Sequence, residues 1–165
     1  MIIVSDTSAI SSLLIIDKLQ LLSQIFGQII IPLSVQKELL ALNKFGFDTT
    51  PIVQSDWIKI QDPLNQELVS QLELELDKGE SSAIALAIEL NAHNLIIDEK
   101  KGRKIAHELG IEVIGLIGIL LEAKEKQLIQ KIKPILDELR IKANFRISES
   151  LYDKILQKTN EIDSN

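Results

Sequence analysis

No cysteine occurs in the 165-residue chain, which also has only seven glycines, four prolines and six aromatic residues. The lack of thiols excludes a disulfide framework, a thiolate zinc site and a cysteine nucleophile, and it suits a reducing cytosol. The scarcity of glycine and proline predicts helices and strands joined by short connections. With so few aromatic rings the core must be aliphatic. Long apolar runs are missing as well: the longest, Ile114–Leu121, falls far short of the roughly 20 residues a membrane helix needs. The opening Met1-Ile-Ile-Val-Ser-Asp6 has no basic region and meets an acid at once, unlike a secretory signal. The expectation is a cytoplasmic protein without membrane contact.

What is present is an ordinary globular balance, 45% hydrophobic and 25% charged. A chain of this length buries roughly 70% of its unfolded surface, so most of it should be ordered. The net charge of −6 is unevenly placed: residues 1–98 hold 5 Lys/Arg against 13 Asp/Glu, and residues 99–165 hold 13 against 11. An acidic average argues against indiscriminate nucleic-acid binding, because phosphate contacts need Lys and Arg. A local basic rim is still compatible with it. Lys100, Lys101, Arg103 and Lys104 form the densest basic cluster, which taken alone reads as a solvated helix face.

Five short aliphatic runs read as strands: Ile2–Val4, Gln28–Pro32, Trp57–Ile60, Leu95–Ile97 and Glu112–Ile114. Between them, apolar residues recur at three and four positions. These predict helical patterning from Ile10 to Phe26, then helices over Leu33–Leu42, Pro63–Leu76, Glu80–Asn91 and from Asp98 to Leu109. Strands alternating with helices predict an α/β fold: a mainly parallel sheet of about five strands, helices on both faces, right-handed crossovers. Beyond Gly115 the pattern is helical only. The expected organisation is therefore a domain over residues 1–126 and a C-terminal helical extension over 127–165, packed on the domain or on a partner.

Common catalytic signatures are missing: no G-x-S-x-G, no phosphate-binding glycine loop, no H-E-x-x-H. His93 and His107 stand outside any metal-ligand spacing. Carboxylates remain. Asp6 and Asp98 each follow an aliphatic strand, and ligands of open parallel sheets bind outside the strands' carboxyl ends. Glu38 falls on the stripe formed by Val35, Leu39 and Leu42, and Glu80 opens a helix with a small apolar inner face. Each has a purely structural alternative: Asp6 and Asp98 as helix caps, Glu80 as a partner of a helix dipole, Glu38 as an ion pair with Lys37 or Lys44. If the acids converge, they repel one another unless they hold protons or a cation. An all-oxygen set suits Mg²⁺ or Mn²⁺, and with it phosphoryl or phosphodiester chemistry.

In these segments the sequence resembles the PIN-domain ribonucleases, in particular the small prokaryotic VapC-like toxins and a related PIN-like subgroup of unknown function. The matching pieces are Ile3–Ile10, Ile31–Leu39, Asp77–Ala87 and Leu95–Arg103, spread over roughly residues 1–120. The resemblance implies a three-layer PIN-like fold and a Mg²⁺- or Mn²⁺-dependent ribonuclease. It places Asp6, Glu38, Glu80 and Asp98 as catalytic residues and metal ligands, with Ser8 supporting the first acid through its hydroxyl. Many relatives have Asp where this chain has Glu80, a longer arm. Lys100, Lys101, Arg103 and Lys104, directly after Asp98, would hold the RNA backbone, and with few aromatics selectivity should come from RNA shape. The resemblance further implies the toxin of a toxin-antitoxin pair, a small cognate antitoxin and a homodimer. A covalent phosphatase and a receiver-like domain are disfavoured, since Ser8 breaks the paired acids both need. The alternative is a non-catalytic PIN-like module that binds protein or RNA.

Overall fold

The computed structural model describes residues 1–162. Its sheet has five strands, β1 (Ile3–Ser5), β2 (Ile29–Ile31), β3 (Ile58–Ile60), β4 (Asn94–Ile96) and β5 (Val113–Ile114). The order is β3-β2-β1-β4-β5 and every pairing is parallel. Each strand is two or three residues long, because a strand covered on both faces needs only a brief run of Ile, Leu and Val. Ten α-helices accompany the sheet among the described residues. In the first half they are α1 (Thr7–Ile15), α2 (Gln20–Phe26), α3 (Leu33–Leu40), α4 (Thr50–Gln54) and α5 (Gln66–Leu72). In the second half they are α6 (Lys78–Glu89), α7 (Lys100–Glu108), α8 (Leu116–Glu125), α9 (Lys133–Lys142) and α10 (Glu149–Lys158). This is the expected α/β, PIN-like arrangement.

Successive strand residues point to opposite faces, so the short strands feed two separate layers. Ile3 and Ile96 enter a larger core with Ile10, Leu13, Val35 and Leu39, whereas Val4, Leu95 and Ile97 enter a smaller one with Ala83, Ile84, Ala87 and Ala106. The small side chains of α6 let that helix lie close against the sheet. The described part of residues 127–165 joins the larger core, with Ile132, Ile135, Leu136, Leu139, Ile155 and Leu156 buried. Its end is fastened by Glu161, which accepts the N–H groups of Ile132 and Lys133, each at 3.0 Å, and pairs with Lys124 at 3.1 Å. The last three residues of the expected extension, 163–165, lie outside the described residues.

Local chemistry shifts several boundaries. The apolar pattern from Ile10 to Phe26 is split into two helices at Asp17, whose φ of 59° cannot continue a right-handed helix. The helix beginning at Leu33 ends at Leu40 and tightens into a 3-10 segment, Ala41–Phe45, closed by Gly46 at φ 88°. The short helix α4 has no counterpart in the periodicity, since five residues carry too little of a helical repeat to detect.

Candidate active site

Register sets Asp6 and Asp98 at the same end of the sheet, but neither is among the charges that shift the other. Ser5 of β1 pairs with Ile96 of β4, and the Asp6 N–H donates to the Ile96 carbonyl at 2.9 Å. The chains of β1 and β4 therefore leave the sheet side by side, at its carboxyl end, carrying Asp6 and Asp98. Asp6 is buried, 4% exposed, and stands at the N-cap position of α1 without the side-chain bond that caps a helix. Capping thus does not account for it.

Glu38 arrives from α3, next to β1 in the fold. The Thr7 hydroxyl donates to Glu38 Oε2, tying the acid to the residue that follows Asp6. Val35 and Leu39 are fully buried but Glu38 is exposed, so it stands beside the inward stripe and not within it as the periodicity suggested. Its carboxylate lies against Gly79: a Cβ there would meet Glu38 Oε1 at 2.8 Å. That contact puts Glu38 next to the start of α6, where Glu80 is 7% exposed. Glu80 also belongs to a capping box. Its N–H donates to Asp77 Oδ1 at 2.8 Å, and the Asp77 N–H donates to Glu80 Oε2 at 3.3 Å.

The acids feel one another. Burial pushes Asp6 from 3.8 up to about 7 despite the opposing Thr7 N–H, and the charges of Glu80, Asp77 and Glu38 push the same way. Burial likewise drives Glu80 to about 7, together with Asp77, Glu99 and Glu38 and against the Asp77 N–H. Although the residue as a whole is exposed, partial burial of its carboxyl raises Glu38, as does Asp77, with the Thr7 hydroxyl opposing. Two carboxyl groups pushed up to about 7, neither in an ion pair among the described residues, form a place where positive charge is missing.

Asp98 is held differently. Its Oδ1 accepts the Leu116 N–H at 3.0 Å, capping α8 eighteen residues on instead of the adjacent α7. Gly115 permits this: a Cβ there would stand 2.8 Å from Asp98 Oδ1 and 3.0 Å from Arg103 Nη1. Burial raises the Asp98 carboxyl while the Leu116 N–H and Arg103 pull it down. Its other oxygen, Oδ2, is buried with no hydrogen-bond partner. As placed, no three His, Cys, Asp or Glu side chains among the described residues form a ready cage for an ion. The donor set nevertheless fits a hard divalent cation, being all oxygen, raised in pKa and left with one orphaned carboxylate oxygen.

Ser8 is engaged through its carbonyl, which accepts from the Ser11 hydroxyl at 3.0 Å; the hydroxyl that reaches a carboxylate is Thr7's. Lys100, Lys101, Arg103 and Lys104 occupy the exposed first turns of α7, beside Asp98. The residues that sequence reading did not single out are Thr7, Asp77 and Glu99. For Asp77 a signal existed, since an Asp three residues before a Glu, ahead of an apolar run, marks a capping box. His93 is far from the site, accepting the Ile2 N–H on Nδ1 at 2.9 Å at the opposite end of the sheet.

A family model described as PIN domain (DUF3368) matches residues 2–161. No curated protein matches the chain. Among solved structures, a PilT N-terminus domain protein from the hyperthermophilic archaeon Sulfolobus solfataricus P2 superposes with a TM-score of 0.51 at 21% identity. The alignment covers 74% of this chain and 93% of that one, a likeness of fold.

Proposed function

The chain belongs to the PIN-domain family, and from that premise we propose that it is a Mg²⁺- or Mn²⁺-dependent endoribonuclease. Nuclease-type function is what a PIN domain suggests, and PIN domains typically use divalent metal ions. The observation that carries the finer reading is the convergence of Asp6, Glu38 and Glu80, with Asp6 and Glu80 pushed up to about 7 and none of the three in an ion pair among the described residues. Asp6, Glu38 and Glu80 would hold the ion, and Asp98 would join through its unpartnered Oδ2. When bound, such a cation supplies an activated water and neutralises charge on a scissile phosphate.

The remaining work falls to the chain's own groups. Asp6 and Glu80 would hold the ion as carboxylates, Thr7 fixes Glu38, and Gly115 lets the α8 N-terminus orient Asp98. Lys100, Lys101, Arg103 and Lys104 would steer the RNA backbone to the sheet's carboxyl end. The wider reading is the toxin of a toxin-antitoxin pair, a homodimer acting in the cytoplasm and restrained by a small antitoxin. No helix among the described residues is long and apolar enough to cross a membrane.

One observation favours a second reading, a PIN-like module that binds RNA or protein without cutting. Asp98 is turned to Leu116 and Arg103, and no metal cage stands ready among the described residues. Incubating the protein with a mixed RNA pool, with and without Mn²⁺ and beside Asp6→Asn, separates the two. Cation-dependent fragments lost in the variant support the nuclease. Equal fragmentation by both proteins, or none by either, refutes it.

A further inference from the structure

Glu38 lines a cleft of about 400 Å³ between the start of α3 and the start of α6, and Asp6 is not among its lining residues. Glu38 is a wall of both the cleft and the acidic centre, so whatever fills the one touches the other. Lys37 and Lys78 line it, and the ion pairs among the described residues involve neither. Ser34 also lines it, with its hydroxyl oxygen buried and lacking any hydrogen-bond partner. Gln66 adds an amide, its Nε2 already donating to the Pro63 carbonyl at 2.7 Å, and Leu33 and Pro63 supply apolar surface. The one further acid, Asp62, is already engaged, accepting the Leu33 N–H at 2.8 Å.

Buried hydroxyls without partners are rare in folded chains, and one on a residue that lines a cleft is matched when a ligand supplies the missing group. Two free ammonium groups ask for anionic oxygens. Apolar surface with a hydroxyl and an amide suits the flat face and polar edge of a base. From this juxtaposition we infer that the α3–α6 cleft is a nucleotide subsite. It holds the RNA residue next to the bond cut at the acidic centre, with Lys37 and Lys78 on its phosphates and Ser34 and Gln66 on its base. The inference rests on the ribonuclease reading for the position of the cut, and on the cleft alone for the binding of RNA. It adds a second basic contact surface, on the opposite flank of the site from α7, so a single strand would cross the acids between the two.

The test uses the full chain and a fluorescein-labelled single-stranded RNA, with binding followed by anisotropy in EDTA between about 50 and 200 mM salt. Lys37→Ala and Lys78→Ala are compared with Lys18→Ala, which removes the same charge at the far end of α1. The pocket variants should bind several-fold more weakly and lower the log–log salt slope by about 0.7 for each lost phosphate contact. In Mn²⁺, on an RNA pool randomised around the cut, Ser34→Ala and Gln66→Ala should relax base preference at one position while the salt slope stays as in the wild type. If both lysine variants match Lys18→Ala in affinity and slope, the subsite is wrong, while cleavage lost in Asp6→Asn keeps the nuclease. If the wild type binds through the cleft but never cuts, the nuclease reading falls and the subsite stands. If it neither binds nor cuts, both fall.

Discussion

The Thr7 hydroxyl donates to Glu38 Oε2 across 31 residues of chain, joining the first residue of α1 to α3. The bond opposes the burial that raises the Glu38 carboxyl. Thr7→Val keeps the shape and removes the donor. Groups that orient metal ligands from behind are commonly worth 10–100-fold in affinity or activity, and a loss of roughly tenfold in Mn²⁺-dependent cleavage is expected here. Thr7→Ser should restore most of it. Steady-state cleavage of a labelled RNA measures both.

Crowded acids weaken the fold that holds them. In Asp6→Asn the repulsion with Glu80, Asp77 and Glu38 disappears, so the metal-free variant should melt higher than the wild type at pH 8. Each kcal/mol gained appears as about 2–4 °C for a chain of this size. The same variant should have lost cleavage. A lower melting temperature at pH 8 would mean that Asp6 is not under electrostatic stress.

The pH dependence follows with a definite sign. Asp6 and Glu80 ionise at about 7 in the fold and near 4 in the unfolded chain. The folded state therefore binds more protons, and their stabilising effect is complete below about pH 4 and lost as pH rises to about 7. In EDTA, the urea midpoint should fall between pH 5 and pH 8, and Mn²⁺ should recover it at pH 8. A midpoint that does not fall over this range in EDTA would contradict the account.

Gly115 is where backbone approaches a functional side chain too closely for a Cβ. Gly115→Ala would place a methyl 2.8 Å from Asp98 Oδ1 and 3.0 Å from Arg103 Nη1. Overpacking of this kind costs typically 1–3 kcal/mol, and here it also displaces Asp98. Activity should fall more than stability, which parallel cleavage and urea melts would reveal.

Glu161 tests whether the C-terminal helices and the sheet share one core. Although burial pushes its carboxyl up, the N–H groups of Ile132 and Lys133 and the Lys124 ammonium hold it down at about 2. Its contribution is present above about pH 4.5 and lost as pH falls to about 2. Glu161→Ala leaves buried donors unmatched, at about 1–3 kcal/mol. Unfolding should stay a single transition; a separate early step would show that α9 and α10 come away alone.

Much of this was legible in the residues. The strands announce themselves because Ile, Leu and Val runs bounded by Asp, Gly or Pro have few other uses, and Asp6 and Asp98 follow from their place after two of them. Glu38 and Glu80 were visible, but not their surroundings. That Glu38 rests on Gly79 depends on how α3 crosses α6. That Asp98 caps α8 and not α7 depends on the sheet register. Neither has a local signal. Asp17 breaks a helical pattern through a backbone torsion that apolar periodicity does not encode. Thr7 was not singled out because spacing along the chain does not show which hydroxyl faces another helix.

The most direct measurement is Mn²⁺ binding followed by electron paramagnetic resonance in the wild type, Asp6→Asn, Glu80→Gln and Lys18→Ala. The account predicts saturable binding in the wild type and Lys18→Ala, tighter at pH 8 than at pH 6, and at least tenfold weaker in the two acid variants. No saturable binding by the wild type, or equal binding by all four proteins, would contradict it.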